Sequence, residues 1–176
     1  MTYTFDIMRR IELQSPTANR SCAVLVAEDN MADAFVIQAA LQEWFEADPP
    51  AFHLEVTIVP NGGEALDYLA GSEGASNAYQ DAPEADLIIL NLNMPVMNGM
   101  EALMRIKQHP QWRCIPTVMY SASDSSTTVT DSLKAYANAY LQKAVNFDQT
   151  VMTLRQTMEF FLGTVLPYRV PNRRLS

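Results

Sequence analysis

The chain has 176 residues, about the length of one domain, and 48% hydrophobic against 18% charged residues fits a packed core and excludes wholesale disorder. Its formal charge of −8 argues against a nucleic-acid binder, because the only basic cluster, Arg169, Arg173 and Arg174, lies in the tail. No run reaches the roughly 20 apolar residues of a membrane span, and residues 1–21 carry Asp6, Arg9, Arg10 and Glu12 where a secretory leader needs an unbroken apolar stretch.

The two cysteines, Cys22 and Cys114, are far apart, have no CxxC partner and read as buried, reduced thiols of a cytoplasmic protein rather than a disulfide or zinc frame. Residues 1–20 read as an N-terminal extension in which Phe5, Ile7, Met8 and Ile11 can dock on the body. Residues 21–166 read as one domain, and residues 167–176, with Pro167 and Pro171, as a tail.

Cys22–Ala27 is a short apolar run, suited to a strand buried on both faces. Asp29 or Asn30 can cap the following helix, Met31 to about Phe45, whose stripe is Ala34, Ile37, Leu41 and Trp44. Phe52–Val59 is a second strand. Pro60-Asn61-Gly62-Gly63 reads as a turn, Glu64–Leu69 as a short helix, and 71–84 as a polar loop. Leu87–Leu90 is a third buried strand, and Met100–Gln108 a helix ended by His109-Pro110. Ile115–Tyr120 is a fourth strand, Ser125–Ala137 a helix, Tyr140–Gln142 a short fifth strand, and Phe147–Val165 a long last helix.

This alternation predicts an α/β fold, a doubly wound sheet of five parallel strands. Ligands of such sheets bind beyond the carboxyl ends of the strands. There the sequence collects Glu28 and Asp29 after strand one, Asn91 and Asn93 after strand three, Ser121 at the end of strand four, and Lys143 after strand five. Two carboxylates, an amide, a hydroxyl and an ammonium suit a hard cation such as Mg²⁺ together with an anion such as phosphate.

Four pieces in order, VAEDN (26–30), LNLNMPVMNG (90–99), YSAS (120–123) and YLQK (140–143), resemble the receiver domain of bacterial response regulators over residues 22–162. The loop NAYQDAPEADLIIL and the ending FFLGTVLP look like the small single-domain regulators that partner bacterial phytochrome histidine kinases. The resemblance implies a flavodoxin-like strand order 2-1-3-4-5. It implies a metal site of Glu28, Asp29, the position of Asn91 and the Asn93 carbonyl. It implies a phosphate pocket of Ser121, Ala122 and Lys143, and a switch pair of Ser121 and Tyr140. Asn98-Gly99 would cap the third helix. Its implied partners are a sensor histidine kinase or another receiver, with homodimers formed through the fourth helix, fifth strand and fifth helix, where Tyr136, Tyr140, Met152 and Phe160 offer apolar surface.

The family's phosphoacceptor aspartate is replaced by Asn91. A carboxamide oxygen is neutral and a poor nucleophile, so the shape is kept and the acyl-phosphate chemistry lost. Removing one negative charge also weakens the expected Mg²⁺ site. Ala144 stands where the family usually has proline, which leaves the geometry of the Lys143–Ala144 bond open. The reading is therefore a non-enzymatic pseudo-receiver acting through protein association. The alternatives are an ordinary phosphoacceptor regulator with an engineered Asp-to-Asn block at position 91, and phosphoryl transfer redirected to Asp29 or another oxygen. An unrelated flavodoxin-like cofactor binder would need an enclosed pocket or a Gly/Thr-rich phosphate loop, and the sequence offers neither. His53 and His109 read as structural or solvated, and Met94, Met97, Met100 and Met104 as core filling.

Overall fold

The structure is a computed structural model, and it describes residues 9–15, 18, 20–72 and 78–164. The expected docking of Phe5, Ile7 and Met8, the tail from Pro167 onward and the basic cluster lie outside the described residues.

In chain order the elements are β1 (Arg9–Leu13), β2 (Ser21–Ala27), α1 (Met31–Ala47), β3 (His53–Val59), α2 (Gly62–Ser72), β4 (Leu87–Leu90), α3 (Gly99–Gln108), β5 (Thr117–Ser121), α4 (Ser126–Lys134), β6 (Ala139–Gln142) and α5 (Phe147–Met158). The sheet runs β1-β3-β2-β4-β5-β6. Without β1, this is the expected order 2-1-3-4-5, all parallel. The sixth strand is a correction. Part of the N-terminal extension pairs antiparallel with β3, from Arg9 opposite Ile58 to Leu13 opposite Leu54, and so belongs to the sheet.

Burial explains the central strands. Six of the seven residues of β2 and all four of β4 are buried, because helices cover both faces of the sheet. On one face α1 and α5 pack together over Val24, Val26, Leu54, Val56 and Ile89. On the other, α2 and α3 cover Leu25, Ala27, Ile88 and Leu90. A fully buried side chain such as Leu41 contributes roughly 1.5–3 kcal/mol.

Caps set the helix starts beside the strand ends. The Asn30 side chain accepts from the N–H groups of Ala32 and Asp33, Asn98 from Glu101, and Asn146 from Gln149. Asn98 thus caps α3, as the sequence suggested.

Four local expectations change. Gly62 and Gly63 are not a free turn but open α2, with Asn61 Oδ1 accepting from Glu64 N. A Cβ at Gly62 would meet Ala102 at 2.8 Å, so glycine is needed for the close approach of α2 to α3. The last helix leaves α geometry after Met158 and continues as a π-helical segment, Glu159–Thr164. Of the four clustered methionines, Met94 is buried and Met97 and Met100 pack against the core, but Met104 is largely exposed. Of the two thiols expected to be buried, Cys22 is, but Cys114 is exposed in the turn that precedes β5. His53 is structural, its Nδ1 accepting from Ser15 N at 3.1 Å, and His109 stacks on Trp112. Among the described residues no helix is long and apolar enough to cross a membrane.

Candidate functional site

The parallel strands deliver their carboxyl ends to one edge of the sheet. Glu28 and Asp29 follow β2, Asn91 follows β4, Ser121 ends β5 and Lys143 follows β6. Backbone bonds fix these ends against each other: Glu28 N donates to Val59 O, Asn91 N to Ala27 O and Lys143 N to Ser121 O, all within 2.9 Å.

Asn91 is 8% exposed and stands at the centre. Its Nδ2 donates to Glu28 Oε1 at 3.1 Å, Asp29 Oδ1 at 3.1 Å and the Asn93 carbonyl at 3.2 Å. An amide has two hydrogens, so three acceptors share them. The backbone beneath is tight, since a Cβ at Gly99 would sit 2.1 Å from Asn91 O. The same loop holds Val96 at φ 65°, a left-handed conformation that strains a β-branched residue.

Lys143 is the cation of the site. Its Nζ donates to Glu28 Oε2 at 2.7 Å and Asp33 Oδ2 at 2.6 Å and lies 5.7 Å from the centre of the Tyr120 ring. It makes no hydrogen bond to Asn91. Burial lifts the Glu28 carboxyl above its ordinary range, opposed by the bonds from Lys143 and from Asn30 N. Burial also pulls Lys143 down, but its bonds to Asp33 and Glu28 outweigh this and hold the ammonium above its usual value.

Asp33 is the residue that sequence reasoning missed. It sits in the first turn of α1, where an acidic residue is ordinary helix chemistry. Its spacing, one helical turn beyond Asp29, is the only signal that it could reach the same edge.

Ser121 is 2% exposed, and its hydroxyl oxygen accepts from Ser123 N at 3.2 Å. Ala122 is exposed in the loop that follows. The Tyr140 hydroxyl donates to Ser123 O at 2.8 Å, so both switch candidates bond to the same residue of the β5–α4 loop. The Lys143–Ala144 bond is trans.

Three oxygens, from Glu28, Asp29 and the Asn93 backbone, converge on the amide nitrogen of Asn91. That donor set fits a hard divalent cation. In the present rotamer it receives N–H groups instead, and only turning the amide over would offer Asn91 Oδ1 as a further ligand. Among the described residues no three His, Cys, Asp or Glu side chains cluster as a metal site, so any cation here depends on the amide and a backbone carbonyl.

Residues 24–155 match the family described as response regulator receiver domain. The chain belongs to that family. This receiver is 29% identical over 151 residues to Response regulator Rcp1 of Synechocystis sp., covering 86% of this chain and 96% of that one. It is 28% identical over 163 residues to the probable methanogenesis regulatory protein FilR2 of Methanothrix harundinacea, covering 93% and 95%. Among solved structures, the phosphorylated cyanobacterial phytochrome response regulator RcpA superposes with a TM-score of 0.71 at 32% identity, over 83% of the receiver and 97% of RcpA. The Mn²⁺-bound form of Rcp1 gives a TM-score of 0.71 at 28% identity, over 84% and 99%. The receiver is thus close to single-domain, phytochrome-associated regulators.

Proposed function

We propose that this receiver is a non-enzymatic, cytoplasmic two-component module that forms no aspartyl phosphate and signals by protein association. One observation carries the reading: an amide, not a carboxylate, occupies position 91, and its nitrogen faces the acceptors that would otherwise face a cation. The residues that could hold Mg²⁺ are Glu28, Asp29, Asn91 through its oxygen, and the Asn93 carbonyl. A bound divalent ion would supply charge neutralisation, weakly, because three hydrogen bonds must break before the amide can turn.

The proposed partner is a sensor histidine kinase, of the phytochrome type by likeness to RcpA and Rcp1, or another receiver, a second copy of this chain included. The proposed contact is the face of α4, β6 and α5. On these elements Leu133 and Met152 are exposed, as are Tyr136 in the α4–β6 connection, by 77%, and Phe160 in the π-helical continuation of α5.

The test is incubation of the full chain with acetyl phosphate and Mg²⁺, read by intact mass. An unmodified chain is expected, and appreciable phosphate incorporation at any oxygen, Asp29 included, would overturn the reading. The retained Glu28, Asp29, Ser121 and Lys143 favour a second reading, an ordinary receiver blocked only at position 91. It requires that Asn91→Asp become labelled under the same conditions, and a metal-bound variant that stays unlabelled removes it.

A further inference from the structure

The strand added by the N-terminal segment changes what one edge of the sheet presents. Among the described residues nothing pairs with the outer edge of β1. Its side chains alternate. Ile11 and Leu13 pack against the core under α1, while Arg10 and Glu12 lie on the opposite face with side chains 57% and 58% exposed. Edge strands are templates for pairing with another chain; the shortness and charge of β1 weaken such pairing, and the signs of those charges decide which partner it still admits.

The charges of β1 do not oppose a second β1. Within one copy, Glu12 lies directly opposite Glu55, a like-charged cross-strand pair. Arg10 serves both carboxylates, but unequally: 2.8 Å to Glu55 Oε2 and 3.4 Å to Glu12 Oε1. Glu12 therefore holds the poorer contact, along its own strand. In an antiparallel pairing of two β1 strands about a two-fold axis at Ile11, positions 10 and 12 become direct neighbours. Arg10 then faces Glu12 of the partner subunit, and Glu12 faces the partner's Arg10, in the cross-strand geometry that favours opposite charges. Ile11 faces its own copy. The contact is isologous and closed.

We infer that two copies of this chain associate edge to edge through β1, antiparallel, with Arg10 and Glu12 setting the register. The two sheets become one continuous sheet. β1 and β6 are opposite edges, so this pairing leaves the α4–β6–α5 face of each copy free. A five-residue edge is a small contact, short of the ~1,000 Å² of a stable specific interface, so the dimer is a weak and reversible one.

Sedimentation velocity of the full chain across a concentration series tests this, using Arg10→Glu and Glu12→Arg, with circular dichroism to confirm that each variant is folded. The wild type is expected to dimerise reversibly and more weakly at high salt. Either single reversal sets like charges opposite each other and should weaken self-association about tenfold or more. Mixing the two variants again sets a carboxylate opposite a guanidinium at both cross-strand positions and should restore a heterodimer near wild-type affinity. A wild type that stays monomeric overturns the inference. So does a dimer that survives both reversals, or a mixture that fails to pair. A dimer that survives both reversals but is lost in Tyr136→Ala assigns association to the α4–β6–α5 face, which sinks this inference and leaves the proposed function standing.

Discussion

Replacing Asn91 with aspartate exchanges a hydrogen-bond donor for an anion at the one point where three acceptors converge. At 3.1 Å and an effective dielectric of 20, two unit charges repel by about 5 kcal/mol. The contact with buried Glu28 carries most of that. The contact with exposed Asp29 is largely screened, and the lost amide bonds contribute about 1 kcal/mol each. Relaxation and the nearby Lys143 ammonium reduce the sum, leaving a net loss of about 3 kcal/mol without metal, or roughly 6–12 °C in melting temperature for a chain of this size. Mg²⁺ should reverse the loss, because the variant has three carboxylates where the parent has two. Thermal melts of both proteins with and without millimolar Mg²⁺ give four curves. The variant should melt lower without metal and gain more from it. A variant at least as stable as the parent without metal, or a parent that gains as much from Mg²⁺, would refute the view that the amide stands where the cation would.

Lys143→Met leaves Glu28 buried without its cation and should cost about 3–5 kcal/mol at neutral pH. Glu28 is already raised by burial, and losing Lys143 raises it further, so the folded state binds the proton more tightly than the unfolded one. The deficit should therefore shrink as pH falls through the Glu28 titration and be regained as pH rises. Urea titrations at neutral and mildly acidic pH check the sign. Gly99→Ala drives a Cβ to 2.1 Å from Asn91 O and should destabilise by about 3 kcal/mol or more, visible as a lower urea midpoint. Asn138→Ala removes the Oδ1 that accepts from both Thr117 N and Lys107 Nζ, and should cost about 2 kcal/mol in the same assay.

β2, β4 and β5 were legible as short apolar runs buried on both faces, β3 by the alternation at its start, and half-buried β6 only as a short run before Lys143. Leu87–Leu90 matches to the residue, and the other four agree within two. β1 was not, since Arg9, Arg10 and Glu12 in a five-residue run outweigh Ile11 and Leu13, and only pairing with β3 makes it a strand. The helix ends were partly legible. His109 closes α3 as expected, but nothing in the composition of 159–164 signals a change of winding. In the site, Glu28, Asp29, Asn91, Asn93 and Lys143 do meet at one edge. What spacing could not tell was whom Lys143 would choose. That depends on Asp33, whose position on α1 is fixed by the Asn30 cap and the packing of Ile37 and Leu41.

Glu28 gives its two oxygens to different donors, one to Lys143 and one to Asn91, which in turn grips the carbonyl of Asn93. One glutamate thus ties the connection leaving β6 to the connection leaving β4. Displacing either loop, by a docked protein or by a crosslink, takes one of the two donors from Glu28 without any covalent mark on position 91. Because both rims draw on one buried carboxylate, a contact that removes one donor leaves the whole of its charge to the other.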